Sequence, residues 1–200
     1  MKNTNTGLYI HIPFCSSLCS YCDFYSIVPT SNQSSNYVDF IEKEIILYNE
    51  FPQISTIFIG GGNPSSLSIE ELEKLFMIIK EYFPFKDNNI EFTIEANPET
   101  VTDDFLKLCK EYGVNRISIG VQSFNERILD ILKRSCRPSQ VYNAIELIVK
   151  YYEQAFNMDI IFGVPSQTIE EFKKDLNRAI EINPFHLSIY SLIVDPDTLI

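Results

Sequence analysis

Six short apolar runs, the first five each followed by a stretch of helical spacing, constrain this chain more than any other feature. The runs are Leu8–Ile12, Thr56–Ile59, Ile90–Glu95, Arg116–Val121, Met158–Phe162 and His186–Leu192. Between the first two, Val38, Ile41, Ile45 and Tyr48 recur at helical spacing and predict a helix over Tyr37–Tyr48, preceded by a polar loop over Ser31–Asn36. Ser68 with Glu71 three residues on reads as a capping box for a helix to about Tyr82. Thr102 opens a helix that Gly113 stops, and helical patterns follow at Asn125–Lys133 and Ser139–Tyr151. Thr168 with Glu171 starts the last, to about Ile182. Such alternation predicts an α/β fold with a parallel sheet and right-handed crossovers. No repeat of fixed period and no low-complexity linker divides the chain, so residues 1–200 are expected to form one domain. Periodicity alone leaves open whether the sheet curves into an open barrel or lies doubly wound. A parallel strand without a covering helix is unusual. The end at Asp197–Ile200, just after strand six, therefore suggests a shortened copy of a longer protein.

Composition narrows the setting. A hydrophobic content of 45% is that of an ordinary globular protein, and a net charge of −11 argues against a nucleic-acid or anionic-membrane surface. Acidic residues such as Glu70, Glu71 and Glu73 read as solvated helix faces. No apolar run is long enough to cross a bilayer, and Met1–Thr6 runs into the first strand without the apolar stretch of a signal peptide. A reducing cytoplasm, where cysteines stay available as metal ligands, is the expected home.

The chemistry gathers where strands end, as in other parallel sheets. Strand one runs into Cys15, Cys19 and Cys22, spaced C-x3-C-x2-C. Three thiolates so close can hold one face of a four-iron, four-sulfur cube and leave the fourth iron open to another ligand. Structural zinc normally takes four ligands as two separated pairs, and no second pair follows. Five cysteines without a secretory leader do not suggest a disulfide scaffold, and Cys109 and Cys136 read as ordinary residues. Strand two ends in Gly60-Gly61-Gly62, which lets a ligand approach the backbone, although a tight turn explains the run nearly as well. Strand three ends at Glu95, strand four leads to Gln122, and strand five carries Asp159. A cap or turn role is the commoner fate of carboxylates like Glu95 and Asp159. Asp159, however, interrupts an apolar run and needs a partner there, a protein cation or a ligand. His11 reads as a hydrogen-bonded core histidine.

Together, Tyr9-Ile10-His11-Ile12-Pro13-Phe14-Cys15, the cysteine loop and Gly60-Gly61-Gly62-Asn63-Pro64 resemble the radical S-adenosylmethionine proteins. The nearer resemblance is to the branch related to oxygen-independent coproporphyrinogen-III oxidase. Glu95-Ala96-Asn97-Pro98, Gly120–Asn125, Asp159–Pro165 and Tyr190–Val194 extend it over nearly the whole chain. The resemblance implies an incomplete (β/α)6 barrel, with Cys15, Cys19 and Cys22 holding a 4Fe–4S cluster whose open iron takes the amino and carboxylate groups of S-adenosylmethionine. Reductive cleavage of the sulfonium to a 5′-deoxyadenosyl radical is the chemistry that follows. By matching motif, Tyr9, Gly61 and Glu95 contact S-adenosylmethionine, and Gly62, Asn63, Gln122, Arg134 and Asp159 correspond to further nucleoside-binding positions. From sequence alone, a solvated helix-end role for Arg134 is an equal reading. Phe24 stands where the oxidase typically has another cysteine, and only fourteen residues precede Cys15, against the oxidase's longer arm. Both departures favour the haem-chaperone members of the branch, which bind haem and deliver it to an acceptor protein, with a reductant for the cluster. Asn63 stands where the family usually has Thr, and by the resemblance the branch's C-terminal domain, which carries haem-contacting residues, is expected to be missing from this chain. Coproporphyrinogen-III oxidation, or cluster binding without complete activity, are the alternatives.

Overall fold

The sheet has six strands, all parallel, paired side by side in chain order. They are β1 (Thr6–Ile12), β2 (Ile54–Gly61), β3 (Glu91–Ala96), β4 (Arg116–Gln122), β5 (Phe156–Phe162) and β6 (His186–Ser191). The structure is a computed structural model and describes residues 6–30, 32–48, 53–83, 85 and 90–194. Expectations placed on residues 1–5, on Ser31 and on Asp197–Ile200 lie outside these. A doubly wound sheet reverses its strand order at a switch point. No reversal occurs here, so right-handed crossovers carry every helix to the same face. That decides between the two architectures left open by periodicity: the sheet is singly wound, the arrangement of an open (β/α)6 barrel. Among the described residues no ladder joins β6 to β1.

The crossovers are α1 (Gln33–Ile46), α2 (Ile69–Tyr82), α3 (Asp103–Glu111), the pair α4 (Glu126–Ile131) and α5 (Pro138–Tyr152), and α6 (Ile169–Ile182). The capping boxes at Ser68 and Thr168 form as their spacing predicts. Gly113, with φ 90°, follows α3 in a conformation that glycine adopts without a Cβ penalty. Helix α1 starts earlier than expected. The polar residues Ser34, Ser35 and Asn36 form its first turn rather than a loop, and the Ser34 hydroxyl donates to Glu71 of α2 at 2.6 Å. Polar composition misleads there because this turn lies at the solvent surface, tied to α2 through Ser34, instead of packing in the core. Thr102 caps α3 by accepting the Phe105 N–H at 3.1 Å. Thr102→Ala is expected to lower stability by about 1 kcal/mol. A lower urea midpoint at unchanged slope would show this; an unchanged midpoint would refute it.

The two faces of the sheet differ sharply. Ile57, Ile59, Phe92, Ile94, Ile117, Ile119, Phe156, Met158 and Ile160 are buried in one core with helix residues such as Leu72, Phe76, Leu106 and Ile148. Burial of this kind contributes about 25 cal/mol per Å² of apolar surface and is the main stabilising term. The alternate positions are polar. Glu95, Ser118, Asn157 and His186 form one row across β3 to β6, and Gly120, Asp159 and Ser188 form the next. Parallel strands are usually apolar on both faces; a polar inner face implies that it lines a cavity.

Candidate functional site

The cavity lies against the carboxyl ends of the strands, with a volume of about 460 Å³, within the range of small-molecule sites. One wall is the loop after β1. Its base is tied by the Ile27 N–H to the Pro13 carbonyl (2.7 Å) and by the Cys15 N–H to the Ile27 carbonyl (3.0 Å). Farther along, the buried Ser20 hydroxyl donates to the Leu132 carbonyl at 3.1 Å, and Tyr21 packs against Ile128, Leu132, Ile161 and Val164. These anchors hold Cys15, Cys19 and Cys22, all half-buried free thiols, along one side of the cavity. Burial pushes the Cys15 and Cys22 thiols up, the neighbouring thiols add to this, and Arg134 opposes it. Among the described residues no three His, Cys, Asp or Glu side chains converge as they would around one metal ion. A four-iron cube asks for something different, one thiolate at each of three corners.

The loop after β2 lies beside it. The Gly62 N–H donates to Ile12 and the Asn63 N–H to Phe14, each at 2.8 Å, so the two loops run as one layer. A Cβ at Gly62 would sit 2.9 Å from Cys15 Sγ, and one at Gly60 would sit 2.9 Å from Glu95 Oε2. Gly61 has φ 120°, in the region that favours glycine. The glycine run is therefore a close approach as well as a turn. Asn63 is buried; its amide donates to Thr100 at 3.2 Å and accepts the Ser65 hydroxyl at 2.6 Å.

Strands β3, β4 and β5 add acceptors to the lining. Glu95 accepts the Gly61 N–H at 3.0 Å, and burial, reinforced by Asp159, pushes its carboxyl up to about 7. Burial also raises Asp159, whose carboxylate accepts the Asn157 amide at 2.8 Å. Its expected partner is thus a neutral amide. Gln122 is buried, and its Oε1 has no hydrogen-bond partner. Arg134 is only 7% exposed, which removes the solvated reading. It donates to the Gly120 carbonyl at 2.7 Å and to Asn97 at 3.2 Å, and its Nη1 lies 3.6 Å from Cys19 Sγ. Its Nε is buried without a partner.

Ten of the residues singled out in the sequence thus line one cavity. Tyr9 does not: it is exposed beside it, with its hydroxyl bonded to His11 Nδ1 at 3.0 Å. His11 is hydrogen-bonded as expected, its Nε2 donating to the Tyr25 carbonyl (2.9 Å), but it is half-buried beside Gly61 rather than in the core. Cys109 and Cys136 are buried, and burial pushes Cys136 up to about 12. Sequence reasoning missed Asn157, which sits under Asp159 and receives Ser188 (2.9 Å) while donating to Ser118 (2.8 Å). Its place two residues before Asp159 on a strand, hence on the same face, was the available signal.

The sequence pattern of the Radical SAM superfamily matches residues 9–179. The heme chaperone HemW of Bacillus subtilis (strain 168) is 38% identical over 96% of this chain and 51% of its own. That of Escherichia coli (strain K12) is 41% identical over 96% of this chain and 52% of its own. The chain spans about half the length of these relatives. Among solved structures, coproporphyrinogen III oxidase (HemN) from Escherichia coli, a radical SAM enzyme, superposes with a TM-score of 0.87 at 31% identity. The match covers 95% of this chain and 44% of that one. The chain belongs to the Radical SAM superfamily, whose members bind a 4Fe–4S cluster and S-adenosylmethionine.

Proposed function

We propose that this chain is the cluster- and S-adenosylmethionine-binding half of a haem chaperone, which receives haem and passes it to an acceptor protein. The observation that carries this reading is one cavity lined both by three thiols and by the acceptors Glu95, Gln122 and Asp159. Cys15, Cys19 and Cys22 would hold the cluster, with the Arg134 cation beside Cys19 offsetting thiolate charge. The donor set fits: among the described residues three thiols line the cavity, and two buried polar atoms, Gln122 Oε1 and Arg134 Nε, have no protein partners. The bound group supplies one-electron chemistry at a sulfonium. The protein's share is to bind and orient. Glu95 offers a carboxylate to the N–H of the amino group, Gln122 and Asp159 offer acceptors to the nucleoside, and Gly61 and Gly62 let it approach the backbone. Asn63 would contribute by shaping the cavity wall, since its side chain is engaged with Ser65 and Thr100 and its backbone with Phe14 and Ser66. Tyr9 would act from the rim.

Haem as the cargo is supported by the HemW relatives. Phe24 and Tyr190, both exposed at the cavity lip, offer apolar surface to a porphyrin. A reducing cytoplasm suits thiols that ligate iron; among the described residues no helix is long and apolar enough to cross a membrane. An electron donor is the remaining partner required. The test is anaerobic reconstitution with iron and sulfide, then titration with haem. Saturable growth of a Soret band is expected, and its absence would overturn haem binding by these residues. The likeness to HemN favours a second reading, coproporphyrinogen-III oxidation. Porphyrin formed from coproporphyrinogen under reducing, anaerobic conditions would establish it instead.

A further inference from the structure

Gln122 occupies an unusual piece of backbone. The pairing of β4 with β5 slips between Gly120 and Gln122. The Ser123 N–H then donates to the Val121 carbonyl at 2.8 Å, closing a three-residue turn with Gln122 at its centre and φ 67°. Three-residue turns with a positive central φ are the strained form, and a residue other than glycine persists there only when its surroundings over-determine it. Bulges of this kind re-aim a side chain beside a site. Here the result is an amide oxygen that is buried on the cavity wall without a hydrogen-bond partner.

What holds the turn is a buried carboxylate on the far side of the barrel wall. Asp175 of α6 is 2% exposed. Its Oδ2 accepts the Ser123 hydroxyl at 2.5 Å, and its Oδ1 accepts the Phe124 N–H at 2.9 Å. Ser123 Oγ in turn accepts the Asn125 N–H at 3.0 Å, and the Phe124 ring stacks on Tyr142 at 5.6 Å. Asp175 does not line the cavity, and no salt bridge to it is found among the described residues. A carboxylate without a counter-ion is a costly group to bury for packing alone. Charge-assisted hydrogen bonds are the strong kind, which is what a strained turn requires.

We propose that Asp175 is a positioning residue: through Ser123 and Phe124 it clamps the turn at residue 122, so that the Gln122 amide oxygen faces a hydrogen-bond donor of the bound nucleoside. The inference rests on the reading of Gln122 as a contact to S-adenosylmethionine.

The experiment is calorimetric titration of the anaerobically reconstituted chain with S-adenosylmethionine, arranged as a double-mutant cycle with thermal melts alongside. Asp175→Ala should weaken binding about tenfold, and Asp175→Asn, which still accepts the Phe124 N–H, should stay within about threefold of the parent. In a Gln122→Ala background, Asp175→Ala should add no more than about a twofold loss while still lowering the melting temperature. Equal losses of affinity in both backgrounds would mean general damage and would overturn the proposal. Parental affinity in a folded Asp175→Ala chain would overturn it too, leaving the reading of Gln122 intact if Gln122→Ala alone binds weakly. Should Gln122→Ala bind as tightly as the parent, the contact and the clamp both fall. If Asp175→Ala does not fold, Ser123→Ala, which removes one of the two clamped groups, enters the same cycle with an expected loss of about threefold.

Discussion

Cys19→Ala is expected to reduce the iron and sulfide of the anaerobically reconstituted chain from about four of each per chain to near background, with loss of the visible absorption. Three protein thiolates are the fewest that leave a four-iron cube one open corner, so losing one leaves two irons without a protein ligand. The other cysteines do not replace it: Cys109 on α3 and Cys136 just before α5 are both buried, and neither lines the cavity. Cys19 is also the thiol beside Arg134 Nη1, the buried cation of the site, so its removal leaves that charge with fewer partners. Cys109→Ala is the control and should retain the cluster. Unchanged iron and sulfide in Cys19→Ala would sink the assignment.

Most of this architecture is written in the chain. The six strands and their crossovers follow from periodicity, because each strand buries one face and each helix one stripe. Single winding does not follow: pattern tells which residues face a core, but strand order depends on pairings between residues far apart in sequence. The carboxyl-end rule found Glu95, Gln122 and Asp159, since a polar residue at the end of an apolar strand has few other places to go. It missed the groups that hold them. Asn157 looks like any strand-interior amide until its neighbours Ser118, Asp159 and Ser188 are brought together from three strands. Asp175 looks like a helix-surface acid, and only the fold turns it inward on Ser123. Arg134 was ambiguous for the same reason: its burial depends on Gly120 and Asn97, which come from β4 and from the turn after β3.

Glu95 should make the site work against the fold. Its carboxyl sits at about 7 rather than at the ordinary 4.5, first because burial strips it of water and then because Asp159 adds negative charge nearby, with the Gly61 N–H opposing both. A carboxylic acid raised in this way is held in its protonated form by the folded state. Between the two values the folded chain binds more protons than the unfolded chain, so this group's contribution to stability is present below about 4.5 and is lost as pH rises to about 7. A rise of that size corresponds to a loss of about 3 kcal/mol. Glu95→Gln keeps the shape and can still accept the Gly61 N–H, but it carries no charge. The cluster-free variant should therefore match the parent near the acid end of this window and exceed it by up to about 3 kcal/mol at about pH 8. Binding should move the other way. An ionised carboxylate accepts the N–H of the S-adenosylmethionine amino group more strongly than a neutral acid does, so the parent's affinity for S-adenosylmethionine should climb as pH passes through about 7, while the variant binds at least about tenfold more weakly above it. Urea unfolding of both proteins across this range, with calorimetry on the reconstituted forms, measures both trends. A variant less stable than the parent at about pH 8 would mean that the ionised carboxylate is compensated in the fold, and the charge would then have no need of a ligand.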